Sequence, residues 1–276
     1  MTRTISLDHS TVMGVTPPEL VSIAAELGYG AIGPIAMTGK GYNLPIHPFA
    51  KNCPLTREMM VCLKDTGVVM NNVDGFVLMP DTAVDSFRPM LELCASMGAQ
   101  RAVTLIFDPD TARAFDHFCS LAAACRAVGL GLVLEFTPLS CLASLGDAEK
   151  FIRQSAQSNA SILVDVLHLM QSGGSPADIA RIDPRLISSA QICDGPAQAT
   201  HEQYVHNAIN ERQIPGEGEL PLVEFLAALP PLATIGVEVP LTRLADRGVS
   251  HLERARRNLV ATQRLLQEAD RLPTWN

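Results

Sequence analysis

Eight short apolar runs, separated by amphipathic stretches, recur along this chain, and that rhythm limits the fold more than any other feature. The runs occupy residues 4–10, 31–37, 68–76, 101–107, 131–136, 161–166, 187–193 and 234–239. They are mostly aliphatic or β-branched and apolar on both faces, which is the pattern of buried parallel strands rather than of half-exposed antiparallel ones. Residues 17–28, 56–67, 89–99, 112–129, 147–158 and 250–272 carry helical spacing, and several end in Gly, where a helix takes a left-handed stop. Eight strand–helix units in 276 residues predict a single-domain α/β fold, a closed (β/α)8 TIM barrel over residues 1–276. An open, doubly wound sheet would carry a glycine-rich phosphate turn after its first strand, and LDHSTVMGVTPPEL has neither such pattern. Two connections, 38–55 and 194–219, are longer than a barrel requires and are read as binding loops or lids.

The formal net charge is −8 and no Lys/Arg block follows a helix face, which argues against a nucleic-acid partner. Seven cysteines lie singly among apolar residues without CxxC spacing, as expected of reduced thiols. The start, MTRTISLDHS, has no apolar signal core, and no run reaches membrane-spanning length. The expectation is a soluble, cytoplasmic protein acting on a small molecule, with no membrane partner and with room for a homo-oligomer.

Four of the runs end, or nearly end, on a metal-capable side chain: GLGLVLEF on Glu135, SILVDVLH on Asp165, ISSAQICD on Gln191 and TIGVEVP on Glu238. A carboxylate inside such a run is costly to bury unless it is paired or ligates a cation. Four at successive strand tips predict one oxygen-lined site, and a hard oxygen shell favours Mg²⁺ or Mn²⁺ over Zn²⁺. A metal there would polarise a substrate carbonyl and ease loss of a proton from the neighbouring carbon.

These four runs, together with the Asp-x-x-His of DVLH and the segment RQIPGEGEL (212–220), resemble the xylose isomerase-like TIM barrels. That family includes sugar phosphate isomerases and epimerases, ketose 3-epimerases, and inosose and 3-dehydroshikimate dehydratases. The resemblance implies one divalent metal held by Glu135, Asp165, Gln191 and Glu238. In the epimerase members the two glutamates also move the proton, which implies catalytic roles for Glu135 and Glu238. In the dehydratase members the His of Asp-x-x-His is the base, which implies His168. Arg212 and His206 in the long loop, His9 beside Asp8 at the first strand tip, and Phe136 after a ligand are candidate substrate contacts. Gln191 stands where most sugar epimerases carry His and resembles the dehydroshikimate dehydratase branch. The arginines which that branch uses after the third strand are represented only by Arg88. The reading is a metal-dependent isomerase or epimerase of a polyhydroxylated carbonyl compound, with a dehydratase of the 3-dehydroshikimate or inosose type as the alternative. Abasic-site endonucleases share this barrel but need several metals and a DNA-binding face, which the acidic balance disfavours.

Overall fold

The computed structural model describes residues 3–38, 45–47 and 49–272. Nine parallel strands form one sheet: β1 (Ile5–Asp8), β2 (Ala31–Gly33), β3 (Val69–Met70), β4 (Asn72–Val73), β5 (Arg101–Thr104), β6 (Gly131–Glu135), β7 (Ala160–Asp165), β8 (Ile187–Ile192) and β9 (Thr234–Val237). Their spatial order is β3-β2-β1-β9-β8-β7-β6-β5-β4. The two ends of that order are consecutive in the chain, so the sheet closes on itself. The third strand expected from the sequence is divided at Asn71. Its N–H bonds Ile32 O at 3.0 Å and its carbonyl accepts from Arg101 N at 3.0 Å, so the strand transfers from β2 to β5 at that residue. The outcome is the expected (β/α)8 barrel in a single domain.

Helices α1 (Pro17–Leu27), α2 (Pro54–Thr66), α3 (Arg88–Ser96), α4 (Thr111–Ala127) and α5 (Leu145–Ser155) follow the first five strand positions. Beyond them lie α6 (Val166–Gln171), α7 (Pro176–Ile179), α8 (His201–Ile209), α9 (Leu222–Ala228), α10 (Thr242–Asp246) and α11 (His251–Ala269). Local chemistry sets their ends. Thr16 and Glu19 form a reciprocal capping box at α1, and Gly28 at φ 88° ends it in the left-handed region. Among the described residues no helix is long and apolar enough to cross a membrane.

The main core lies between sheet and helices, while Val103, Val133 and Leu163 form a separate, fully buried cluster. Because strand side chains alternate, Val133 and Leu163 share a face with Glu135 and Asp165, two residues further on. The interior of the barrel is thus apolar below and ionisable at its C-terminal mouth, along β6 and β7.

The connection 194–219 is well anchored rather than a free lid. The buried Asp194 side chain accepts from the backbone N–H groups of Gly195 (2.8 Å), Gly216 (2.8 Å) and Leu220 (3.1 Å). Backbone bridges Asp194–Gln213 and Glu211–Leu241 hold the same stretch from both sides. The spacing of PGEGE follows from this: a Cβ at Gly218 would lie 2.3 Å from an Asp194 carboxyl oxygen. Asp194→Ala leaves three N–H groups without their acceptor, and the expected cost is about 3 kcal/mol or more. Urea unfolding measures it, and an unchanged midpoint would show that water replaces the carboxylate. Of the other long connection, 38–55, residues 39–44 and 48 lie outside the described residues.

Candidate metal centre and active site

Each proposed ligand is placed by the local rule of its strand. Asp165 ends β7 and caps α6, one carboxyl oxygen accepting from the N–H groups of Leu167 (2.6 Å) and His168 (3.2 Å). That cap puts His168 in the first turn of α6, where its ring returns to the barrel mouth. The nearest ligand atoms of Glu135, Asp165 and His168 lie within 4.8 Å of one another, and all three residues are buried. Gln191 pairs with Asp165 across β7 and β8 and with Gly236 on β9. Glu238, two residues beyond Gly236, reaches the same mouth.

The orientation of Gln191 is fixed from below. Its side-chain N–H donates to Asp8 at 3.1 Å, leaving the buried Oε1 without a hydrogen-bond partner. Asp8 is itself buried, hydrogen-bonded to Ser6 at 3.1 Å, and fitted between two glycines. A Cβ at Gly33 would lie 2.5 Å from one Asp8 oxygen, and a Cβ at Gly236 2.4 Å from the other. Burial pushes the Asp8 carboxyl up to about 7 against the opposing bonds from Gln191 and Ser6. A buried amide oxygen without a hydrogen-bond partner, on the strand beside Asp165, is a donor that a metal could use, and the donor set fits a divalent cation.

Arg212 penetrates further than a lid residue would. The residue is 3% exposed, and its guanidinium lies 2.6 Å from Asp165 and 3.0 Å from Glu238. Burial alone would lower its proton affinity, but the two carboxylates outweigh that and keep it charged. Burial raises Asp165 too, yet Arg212 and His168 overcome it and hold the carboxyl down at about 2. Glu238 is raised well above its ordinary value by burial, with Glu135, Asp165 and Asp8 adding to the effect against Arg212. Three carboxylates and one guanidinium sum to −2, so a bound dication would leave the cluster neutral rather than negative.

Tyr204, which no motif or spacing singled out, completes the site. Its hydroxyl lies 2.9 Å from His168 Nδ1 and 2.6 Å from the Thr137 hydroxyl, and His168 Nε2 lies 3.3 Å from Glu135. Burial raises the Tyr204 hydroxyl, so it keeps its proton. With a neutral imidazole one direction serves the whole chain: Thr137 donates to Tyr204, Tyr204 to Nδ1, and Nε2–H to Glu135. Asp74, at the end of the third strand, also lines the cavity, and among the described residues its carboxyl has no hydrogen bond or ion pair. Burial, then Asp8 and Glu135, raise Asp74 well above the ordinary range.

The other candidates separate by geometry. His9 lines the cavity, but its ring is held by the main chain, with Nε2 3.2 Å from Val15 O and Nδ1 accepting from Ile35 N at 3.4 Å. His206 is exposed and Phe136 fully buried, and neither lines the cavity. Strand alternation explains Phe136: its neighbour Glu135 faces the mouth, so Phe136 faces the helices. Helical phase explains His206. Tyr204 and Ala208 are four residues apart on the inner side of α8, and position 206 lies on the opposite side. Arg88 sits at the surface, paired with Asp85 at 2.8 Å.

Burial also lowers His9 to about 4. The unfolded chain takes up a proton below the ordinary 6.5 and the folded ring does not. Its contribution is therefore intact above pH 6.5 and lost as pH falls towards 4, on the order of 3 kcal/mol. Asp8 has the opposite sign, destabilising the fold as pH rises from about 4 to 7. Urea unfolding of wild type and His9→Gln isolates the histidine: the difference between them should shrink by that amount on going from pH 7 to pH 4. A constant difference would mean that His9 is not buried neutral.

A family model described as xylose isomerase-like TIM barrel matches residues 21–255. The chain belongs to that family. Solved structures agree with the fold. A xylose isomerase domain protein from Alicyclobacillus acidocaldarius is 20% identical, with a TM-score of 0.73 over 98% of this chain and 100% of the other. The IolI protein, solved with a binding zinc atom, is 15% identical, with a TM-score of 0.78 over 98% and 100% of the two chains. A D-psicose 3-epimerase from Clostridium cellulolyticum H10, solved with D-tagatose, is 13% identical, with a TM-score of 0.72 over 95% and 99%. No curated protein matches the sequence.

Proposed function

We propose that this xylose isomerase-like barrel is a divalent-metal-dependent isomerase or epimerase of a polyhydroxylated carbonyl compound. The observation that carries the reading is the buried, unpartnered Oε1 of Gln191, oriented by Asp8 beside Glu135, Asp165 and Glu238. Those four residues would hold the metal. Mg²⁺ or Mn²⁺ suits their oxygens, while the nitrogen of His168 leaves zinc, the ion in the IolI structure, as the competing choice. When bound, the ion would polarise a substrate carbonyl. The rest falls to the chain's own groups. Glu135 and Glu238 take and return the proton. His168, set by Tyr204, orients Glu135, and Arg212 balances the charge.

One observation favours the alternative, a dehydratase: His168 is buried, aligned at both nitrogens and within reach of the cavity. Against it, Arg88 offers no carboxylate clamp at the site.

The test is metal removal. The ligands come from four strands that pair without the ion, so chelation should abolish activity and leave the circular dichroism spectrum unchanged. Glu238→Gln should weaken metal binding by about a hundredfold or more, measured by calorimetric titration, since even a group behind a ligand is worth 10–100-fold. A fully active metal-free preparation would sink the reading.

A further inference from the structure

The cavity above the ionisable floor measures about 200 Å³, and its upper wall is largely apolar. Met13 after β1, Met37 after β2, Leu105 and Phe107 after β5, Leu139 after β6 and Ile209 on α8 surround the mouth. All are half-buried except Ile209, which is 39% exposed. Six apolar side chains from four loops and a helix thus converge on one opening and remain partly solvated. Such a surface is costly to leave wet and is the kind that ligands cover. Among the described residues the one cation lining the cavity is Arg212, and it is already engaged by Asp165 and Glu238 rather than free to grip a phosphate. Two thioethers and a phenyl ring are soft, polarisable walls that suit a planar ring.

We propose that the substrate is amphipathic, with an oxygen-bearing head at Glu135, His168 and Glu238 and an aryl substituent under the apolar collar. This rests on the isomerase or epimerase reading for the head alone. The substituent follows from the collar, whatever reaction the floor performs.

The experiment is calorimetric titration of the full chain with phenyl β-D-glucopyranoside, D-glucose and D-glucose 6-phosphate, in Mn²⁺ and again in EDTA. The aryl glycoside should bind at least about tenfold more tightly than glucose, as burial of a ring predicts, and the phosphate ester no more tightly than glucose. Ile209→Ser and Leu139→Ser, at half-buried or exposed positions, should reduce the aryl preference without changing Mn²⁺ affinity. An aryl glycoside that binds no better than glucose, or a phosphate ester that binds best, overturns the proposal. Failure to bind Mn²⁺ sinks the metal-dependent reading instead, and the aryl preference in EDTA is read independently of it.

Discussion

Replacing Arg212 with Ala lowers the stability of the metal-free protein by about 3–5 kcal/mol, the cost of removing one partner from a buried ion pair. Asp165 is fully buried and Glu238 half-buried, and among the described residues the guanidinium is the only cation that touches either. Without it, Asp165 and Glu238 are left beside Glu135 with no compensating positive charge. A bound dication supplies the missing charge, so metal should restore more stability to the variant than it adds to wild type. Urea unfolding in EDTA and in excess Mn²⁺ gives both numbers. Equal metal-dependent gains in the two proteins, with a defect only in KM, would return Arg212 to the role of a loop residue that meets substrate. The sequence alone favoured that role, because it shows Arg212 in a polar, 26-residue connection and cannot show that the connection is held by Asp194.

The legible parts of this protein are those encoded within a few residues. A carboxylate at the end of an aliphatic run signals itself, because burial without a partner is so expensive; Glu135, Asp165 and Glu238 were visible for that reason. Asp165 and His168 were visible together because a cap and the third residue of a helix are adjacent in sequence. What was hidden acts across the barrel. Arg212 reaches Asp165 over 47 residues, Tyr204 reaches His168 over 36, and Gln191 reaches Asp8 over 183. Gly33 and Gly236 look like ordinary strand glycines until the structure puts Asp8 between them. His206 and Phe136 failed for the opposite reason: they lie near the right residues in sequence, and the phase of a helix or strand turns them away. The break at Asn71 was also illegible, since the run 68–76 is continuous in composition and only barrel closure divides it.

Glu135→Gln lowers kcat by about 10²–10⁴-fold at saturating metal, the range that a positioned proton-transfer group supplies, whereas His168→Ala lowers it less, by about 10- to 100-fold. The order of the two effects is the prediction. In the isomerase or epimerase, Glu135 moves the proton and His168 contributes through its hydrogen bond to Glu135, worth about as much as other bonds to charged groups. Tyr204→Phe should then resemble a weaker His168→Ala, since it removes only the donor to Nδ1. In the dehydratase, His168 is the base. Its loss would cost the larger factor, and Glu135→Gln would act mainly through metal affinity, which saturation removes. A second readout is independent of rates. Reaction in D₂O should leave deuterium at the reacting carbon of recovered product, because a proton parked on a carboxyl group beside a hydrated cavity exchanges with solvent between removal and return. A dehydratase would instead release water and build a conjugated product with a new ultraviolet band. If that band appears without any isomer, and His168→Ala is the more damaging change, the carboxylates at 135 and 238 only hold the cation and His168 is the catalytic base.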